Sequence, residues 1–304
     1  DGVFPTADGK ARFVAIEHLP TADTLSAAAP ISLLSGRMRD HWHGMSRTGT
    51  VPRLFNLEDE PLLAMHPCDM RHRSLDSGDL VRVSNARGEM KVRVAERPGL
   101  QKGRAWMPMH WGSQFMNSPG ANAVASDAID PYSKQPELKH AAVQITKLDL
   151  PYPLAIIRRC PDQESALELM QRARAALPRF AYATLNLYGR SSPLVVFRAS
   201  SAEAVAADLL QEMDVLFGID GAEGAIVFAD AKRHVAKKAI SIEGRLLGVR
   251  LAGETLAQTW LKQAMAEDEL DASLIRFALA PSAKPPVSVA PRNIICKCAD
   301  VSDA

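Results

Sequence analysis

Ile31-Ser32-Leu33-Leu34-Ser35-Gly36-Arg37-Met38-Arg39-Asp40-His41-Trp42-His43 decides how this chain is read. A short apolar run stops at Gly36, and the loop beyond it is crowded with donors: Arg37, Arg39, His41, Trp42, His43, Ser46, Arg47 and Thr48. A strand end followed by a glycine and many donors suits a loop that holds an anion or a nucleotide. The glycine spacing is neither that of a Rossmann turn nor that of a P-loop. Two other readings stay open. The loop is merely solvated, or His41 and His43, on one face at i and i+2, ligate a metal with His66, His72 or His110.

Outward from this stretch the chain reads as strand-rich. Leu80–Val83, Met90–Val94, Ala105–Met109 and Ala141–Ile145 are short apolar runs set off by Gly, Pro, Asn and Asp. Val81-Arg82-Val83 and Lys91-Val92-Arg93-Val94 alternate with period two across Asn85-Ala86-Arg87-Gly88, which predicts a hairpin with one wet face. The stretches Arg39–Thr50 and His110–Ser133 are long for loops in a compact domain, and such loops usually hold a ligand.

At Leu148-Asp149-Leu150-Pro151-Tyr152-Pro153 the periodicity changes. Asp162 caps a helix with Ala166, Leu169, Met170, Ala173 and Leu177 on one face, stopped by Pro178. Ser200 and Glu203 have capping-box spacing before a second helix ending near Phe217-Gly218. Leu194–Phe197 and Ala225–Phe228 are strands, Lys238–Ile242 with Leu246–Leu251 a hairpin, and Thr255–Met265 a third helix. Pro281, Pro285, Pro286 and Pro291 then mark a linker.

Composition excludes several classes. At 304 residues, 47% hydrophobic and 23% charged, the chain has room for two globular domains. The formal net charge of +1 gives no bulk field toward nucleic acid or an anionic membrane. Arg71 to Arg104 holds nine Lys or Arg against four acids, enough for one anionic ligand and too few to track a nucleic-acid backbone. No apolar run approaches the roughly 20 residues of a transmembrane helix. Four cysteines and no export signal lead to the expectation of a reducing compartment, with the cytoplasm as default. Cys68 and Cys160 read as inert thiols, since no base is identifiable beside either. Cys296-x-Cys298 is half of a thiolate metal site or a pair of free thiols.

Taken together, several stretches resemble the C-terminal domain of molybdopterin oxidoreductases, in the variant of the assimilatory nitrate reductase large subunit. They are Ser35 to His43, Met65-His66-Pro67-x-Asp69, Gly78-Asp79-Leu80-Val81, Met107-Pro108-Met109-His110-Trp111 and Asp130-Pro131-x-Ser133-Lys134-Gln135-Pro136-Glu137-Leu138-Lys139. Phe4-Pro5-Thr6-x-x-Gly9-Lys10-Ala11-Arg12-Phe13 resembles the lead-in to that domain. Val227-Phe228-Ala229-Asp230, Gly244 to Gly253 and Trp260-Leu261 look like a module of assimilatory nitrate reductases with relatives in NAD(P)H-dependent nitrite reductases. Ile294-Ile295-Cys296-Lys297-Cys298 looks like the opening of a [2Fe–2S] domain similar to bacterioferritin-associated ferredoxin.

The resemblance implies a mixed α/β architecture. After a lead-in over 1–30, a double-psi β-barrel-like domain over 31–147 binds a molybdopterin guanine dinucleotide. A smaller α+β domain follows over 152–280, then a linker over 281–293 and a truncated iron–sulfur opening over 294–304. It assigns Gly36, Arg37, His41, Trp42, His43, Ser46, Thr48, His110, Trp111, Asn122 and Lys139 to the cofactor. Cys296 and Cys298 become half of a [2Fe–2S] site. The implied enzyme reduces nitrate to nitrite by oxygen-atom transfer at Mo-bis(molybdopterin guanine dinucleotide), with a [4Fe–4S] cluster and the molybdenum ligand in an N-terminal portion. A donor protein or reductase subunit delivers the electrons, and no catalytic residue falls in this piece. Alternatives are another molybdopterin oxidoreductase such as a formate dehydrogenase, or a non-catalytic scaffold for cofactor binding or electron transfer.

Overall fold

The computed structural model describes residues 2–190, 192–221, 223–267 and 275–285, and the backbone of 294–296 and 301–302. Six strands, β1 (Ile31–Gly36), β2 (Leu62–Met65), β3 (Leu80–Ser84), β4 (Glu89–Glu96), β5 (Arg104–Pro108) and β6 (His140–Lys147), close a barrel in the order β1-β5-β2-β4-β3-β6. β3 and β4 form the expected hairpin. Val81 pairs with Val92 and Val83 with Met90, all four buried, while Arg82 between them is exposed. Period two thus puts one face of each strand into a barrel core with Ile31, Leu63, Met107 and Val143.

Two pairings are parallel, β1 with β5 and β2 with β4. The first aligns Gly36 with Pro108, so both strands release their loops at the same barrel end. β6 runs antiparallel to β1 with His140 opposite Leu34, so Lys139 enters at that end too.

The sequence reading passed over β2, which is four residues long and meets α1 (Pro67–Arg71) within two residues. Here Met65-His66-Pro67-x-Asp69 acquires a structural meaning. The His66 Nδ1 accepts the Cys68 N–H at 3.0 Å as an N-cap, and Pro67 occupies the first turn, where no N–H is needed. Buried Asp69 accepts the Gly103 N–H at 2.8 Å.

A second sheet has the order β10-β11-β12-β7-β9-β8, all antiparallel. Its strands are β7 (Tyr152–Arg159), β8 (Tyr182–Tyr188), β9 (Leu194–Ser201), β10 (Ala225–Asp230), β11 (Val235–Ile242) and β12 (Arg245–Ala252). Helices α2 (Gln163–Ala173) and α3 (Ala207–Leu216) pack on one face, and α4 (Gln258–Glu267) on the other. Asp162 caps α2 by accepting the Ser165 N–H at 2.8 Å.

The capping box at Ser200 and Glu203 does not form. Ser200 lies inside β9, buried, and its hydroxyl accepts from Arg93 at 3.2 Å; α3 starts at Ala207 with no side-chain cap. β7 and β8 were also not anticipated. Every residue of β8 is buried, so it shows no alternation to read.

The sheets are distinct, yet one hydrophobic cluster runs through both units, joining Met45, Phe55, Trp111 and Phe115 to Ile156, Tyr182 and Phe197. Edge strand β8 is covered by the loop that follows β5. Met116 bridges to Thr184, Leu185 N–H donates to Phe115 C=O at 2.7 Å, and Asn117 donates to Phe180 C=O at 2.7 Å and accepts from Ala183 N–H at 2.9 Å. A buried charged knot adds to the seam. Asp59 takes Arg198 and, at 2.5 Å, Lys262; Glu60 takes Arg93 at 3.1 Å and the Tyr182 hydroxyl at 2.8 Å.

Among the described residues no helix is long and apolar enough to cross a membrane.

Candidate functional site at the barrel mouth

Three loops meet where β1 and β5 end. At their centre is His110, 1% exposed. Its Nε2 accepts the Met38 N–H at 2.9 Å, and its Nδ1 lies 2.6 Å from the His43 carbonyl. An N–H donor on one side and a carbonyl on the other fix the ring as the neutral Nδ1–H tautomer. Burial lowers its pKa, the hydrogen bond to the His43 carbonyl opposes this, and the Arg37 and Lys139 cations reinforce it. Both cations thus act on His110 although they stand 102 positions apart.

His41 is equally buried, 2% exposed, against Phe55, His110 and Trp111. The Thr48 hydroxyl accepts the Trp42 N–H at 3.2 Å and lies 3.3 Å from His41 Nδ1. Burial pushes the His41 pKa down to about 4, so the ring is neutral at pH 7. His41 Nε2 and Trp111 Nε1 are buried and have no hydrogen-bond partner among the described residues. Such orphans cost roughly 1–3 kcal/mol each, so two in one cluster fit a site whose partner comes from outside the chain.

The rim is cationic and aromatic. The Arg37 guanidinium stacks 4.6 Å over the ring of Trp42, which is 56% exposed, and Trp42 meets His43 edge-on at 4.8 Å. Arg39, not Arg37, takes Asp40, at 3.0 Å. Lys139 is exposed with its ammonium 3.7 Å from the Met109 sulfur, and its carbonyl accepts the Ser35 N–H. Arg37 and Lys139 therefore present charge to solvent, as ligands for phosphate oxygens would.

A Cβ at Gly36 would sit 2.7 Å from Trp106 Nε1, so the missing side chain makes room for that indole. Ser46 is exposed on the same loop. Asn122 is exposed in a 3₁₀ turn, Ala121–Val124, that packs against β4 and the Arg87–Gly88 turn. Cys298 lies outside the described residues, and Cys296 is described only as backbone of Ile294–Cys296, paired with Val301–Ser302. Among the described residues no three His, Cys, Asp or Glu side chains gather as a metal site, which removes the His41–His43 metal set.

Sequence reasoning missed Asp23. Its carboxylate takes Arg87 at 2.5 Å and the Ala142 N–H at 2.7 Å, and its carbonyl meets His140 Nε2 at 2.8 Å, tying the lead-in to β6. Nothing in the local pattern marked it, since its partners lie 64 to 119 positions away.

Residues 31–142 match the family described as "Molydopterin dinucleotide binding domain". A protein named nitrate reductase from Klebsiella oxytoca is 41% identical over 138 residues, covering 45% of this chain and 16% of that protein. The chain thus spans about a sixth of that relative's length. The acetylene hydratase structure from Pelobacter acetylenicus aligns with a TM-score of 0.32 at 19% identity, over 39% of this chain and 18% of that one. With its closed six-stranded barrel and a mouth of convergent donors, the segment 31–142 is a molybdopterin dinucleotide-binding domain related to those of nitrate reductase-like oxidoreductases.

Proposed function

We propose that the chain is the cofactor-gripping portion of a molybdenum-dependent assimilatory nitrate reductase, in which the barrel mouth closes over one guanine dinucleotide of Mo-bis(molybdopterin guanine dinucleotide). The observation that carries this reading is the pairing of a neutral buried floor, His41, His110 and Trp111, with a cationic rim, Arg37 and Lys139. The 41% identity to a nitrate reductase supports that enzyme class. In this reading Arg37 and Lys139 bind pyrophosphate oxygens, and Trp42 offers a flat face beside them. His41 and Trp111 donate to polar atoms of the ligand. His110 touches no ligand and positions the loop, while Ser46, Thr48 and Asn122 add hydroxyl and amide contacts at its border. The bound cofactor supplies the two-electron oxygen-atom chemistry that turns nitrate into nitrite.

The remaining assignments follow from the same reading. The N-terminal portion of the enzyme carries the [4Fe–4S] cluster and the molybdenum ligand, a donor protein or reductase subunit feeds electrons, and the complex works in the cytoplasm without nucleic acid or membrane. The test is nitrite formation from nitrate with a reduced viologen donor, for the enzyme that contains this chain and for residues 1–304 alone. Turnover by the first and none by the second is expected. Full molybdenum content with no nitrate turnover would overturn the assignment.

A further inference from the structure

Between the first turn of α2 and the end of α3 lies a cleft of about 290 Å³ lined by Arg158, Arg159, Arg172, Cys160, Ser165 and Gly218 among others. None of its lining residues carries a carboxylate. Four acids, Asp162, Glu164, Glu168 and Asp214, adjoin lining residues in sequence; Asp162 accepts the Ser165 N–H at 2.8 Å and Asp214 takes Arg250 at 2.6 Å. Arg158 projects from β7 past two glycines. Its Cδ lies 3.5 Å from where a Gly248 Cβ would be, and its guanidinium nitrogens 3.8 and 3.9 Å from that of Gly218. At Gly248 a side chain would collide with Ile219, whose Cγ2 lies 2.3 Å from the Cβ position, while toward Arg158 both glycine positions are at ordinary contact distance.

The Arg158 Nη1 is fully buried and has no hydrogen-bond partner among the described residues. Burial pulls its pKa below the ordinary value, and no carboxylate offsets this. Burial also pushes the Cys160 thiol up to about 11, so it stays protonated and does not repel an anion. Arg172 stands exposed at the rim, one nitrogen 3.4 Å from the Leu216 carbonyl. A half-buried guanidinium without a counter-charge is unfavourable, and planar N–H forks match the oxygens of a phosphoryl group.

We propose that this cleft is a second binding site, taking a phosphate dianion, either free or as the terminal group of a small phosphomonoester. Arg158 grips the phosphoryl oxygens from the floor and Arg172 closes on them from the rim. With each water occupying about 30 Å³, the volume admits the phosphoryl group and a short organic tail.

The test is calorimetric titration of the 304-residue chain with inorganic phosphate and, separately, glycerol phosphate, at constant ionic strength in chloride. Saturable binding is expected, weakened at least about tenfold (~1.4 kcal/mol) by Arg158→Gln and several-fold by Arg172→Gln. Arg172 is exposed, so its variant keeps the test open should Arg158→Gln fail to fold. Binding of both compounds supports a phosphomonoester ligand, and binding of inorganic phosphate alone supports the free anion. Absence of saturable binding, or affinity unchanged in a folded variant of either arginine, overturns the proposal.

Discussion

His110 holds Met38 across 72 positions of sequence, its ring Nε2 accepting the Met38 backbone N–H at 2.9 Å. One imidazole joins the loop after β5 to the loop after β1, and its other nitrogen reaches the His43 carbonyl. The strained part of that loop is thereby fixed, for His43 and Met45 both have positive φ, 46° and 61°.

Replacing His110 by Ala should leave the buried Met38 N–H unpaired and the part-buried His43 carbonyl without its partner. The expected loss is about 2–4 kcal/mol of unfolding free energy. Gln, with a donor and an acceptor on one amide, should restore part of it. Denaturant midpoints at unchanged m-value check both.

His41 sets a pH dependence. Its folded pKa near 4 lies below the ordinary 6.5, so the unfolded chain binds the extra proton in between. The contribution is complete above pH 6.5 and drains away as pH falls toward 4, by at most about 3 kcal/mol. His41→Gln should flatten stability against pH in that window. An unchanged slope would show that the ring is not held neutral.

Asp59 acts lower on the scale. Arg198 and Lys262 hold its carboxyl at about 2 against desolvation, below the ordinary 3.8. Its roughly 2 kcal/mol is present above pH 4 and lost as pH falls through 2. At neutral pH, Asp59→Asn strands Lys262 and leaves Arg198 with Glu60 at 3.9 Å as its counter-charge, and should cost about 3 kcal/mol. Because Asp59 sits on the barrel side of the seam and Arg198 and Lys262 on the sheet side, the variant should also expose the seam to limited proteolysis.

Gly120 offers a sharper steric test. At φ 75° a Cβ would lie 2.0 Å from the Trp111 carbonyl, a backbone atom with nowhere to go. Gly120→Ala should therefore cost more than about 1 kcal/mol and shift the near-ultraviolet signal of Trp111.

The barrel was legible where period two was clean. Val81, Val83, Val92 and Val94 alternate with charged neighbours, and the hairpin formed as read. β8 and β7 were not, because strands buried on both faces carry no alternation. The parallel alignment of Gly36 with Pro108 is a tertiary fact with no local signature. The donor-rich loop announced a ligand site through composition, yet its chemistry splits by burial. Arg37 and Lys139 face solvent while His41 and His110 do not, and residue type alone does not distinguish those fates. The Ser200–Glu203 spacing misled because Ser200 is drawn into β9, where Arg93 takes its hydroxyl.

The central claim is that the barrel mouth grips the guanine dinucleotide through Arg37. A charge-assisted contact of this kind contributes roughly 1.5–3 kcal/mol. Molybdenum and guanine content per polypeptide should be measured on the purified full-length enzyme and its Arg37→Ala variant. A fall of about tenfold or more in both, with the same turnover per remaining molybdenum, is the predicted result. Unchanged molybdenum and guanine in the variant would contradict the account.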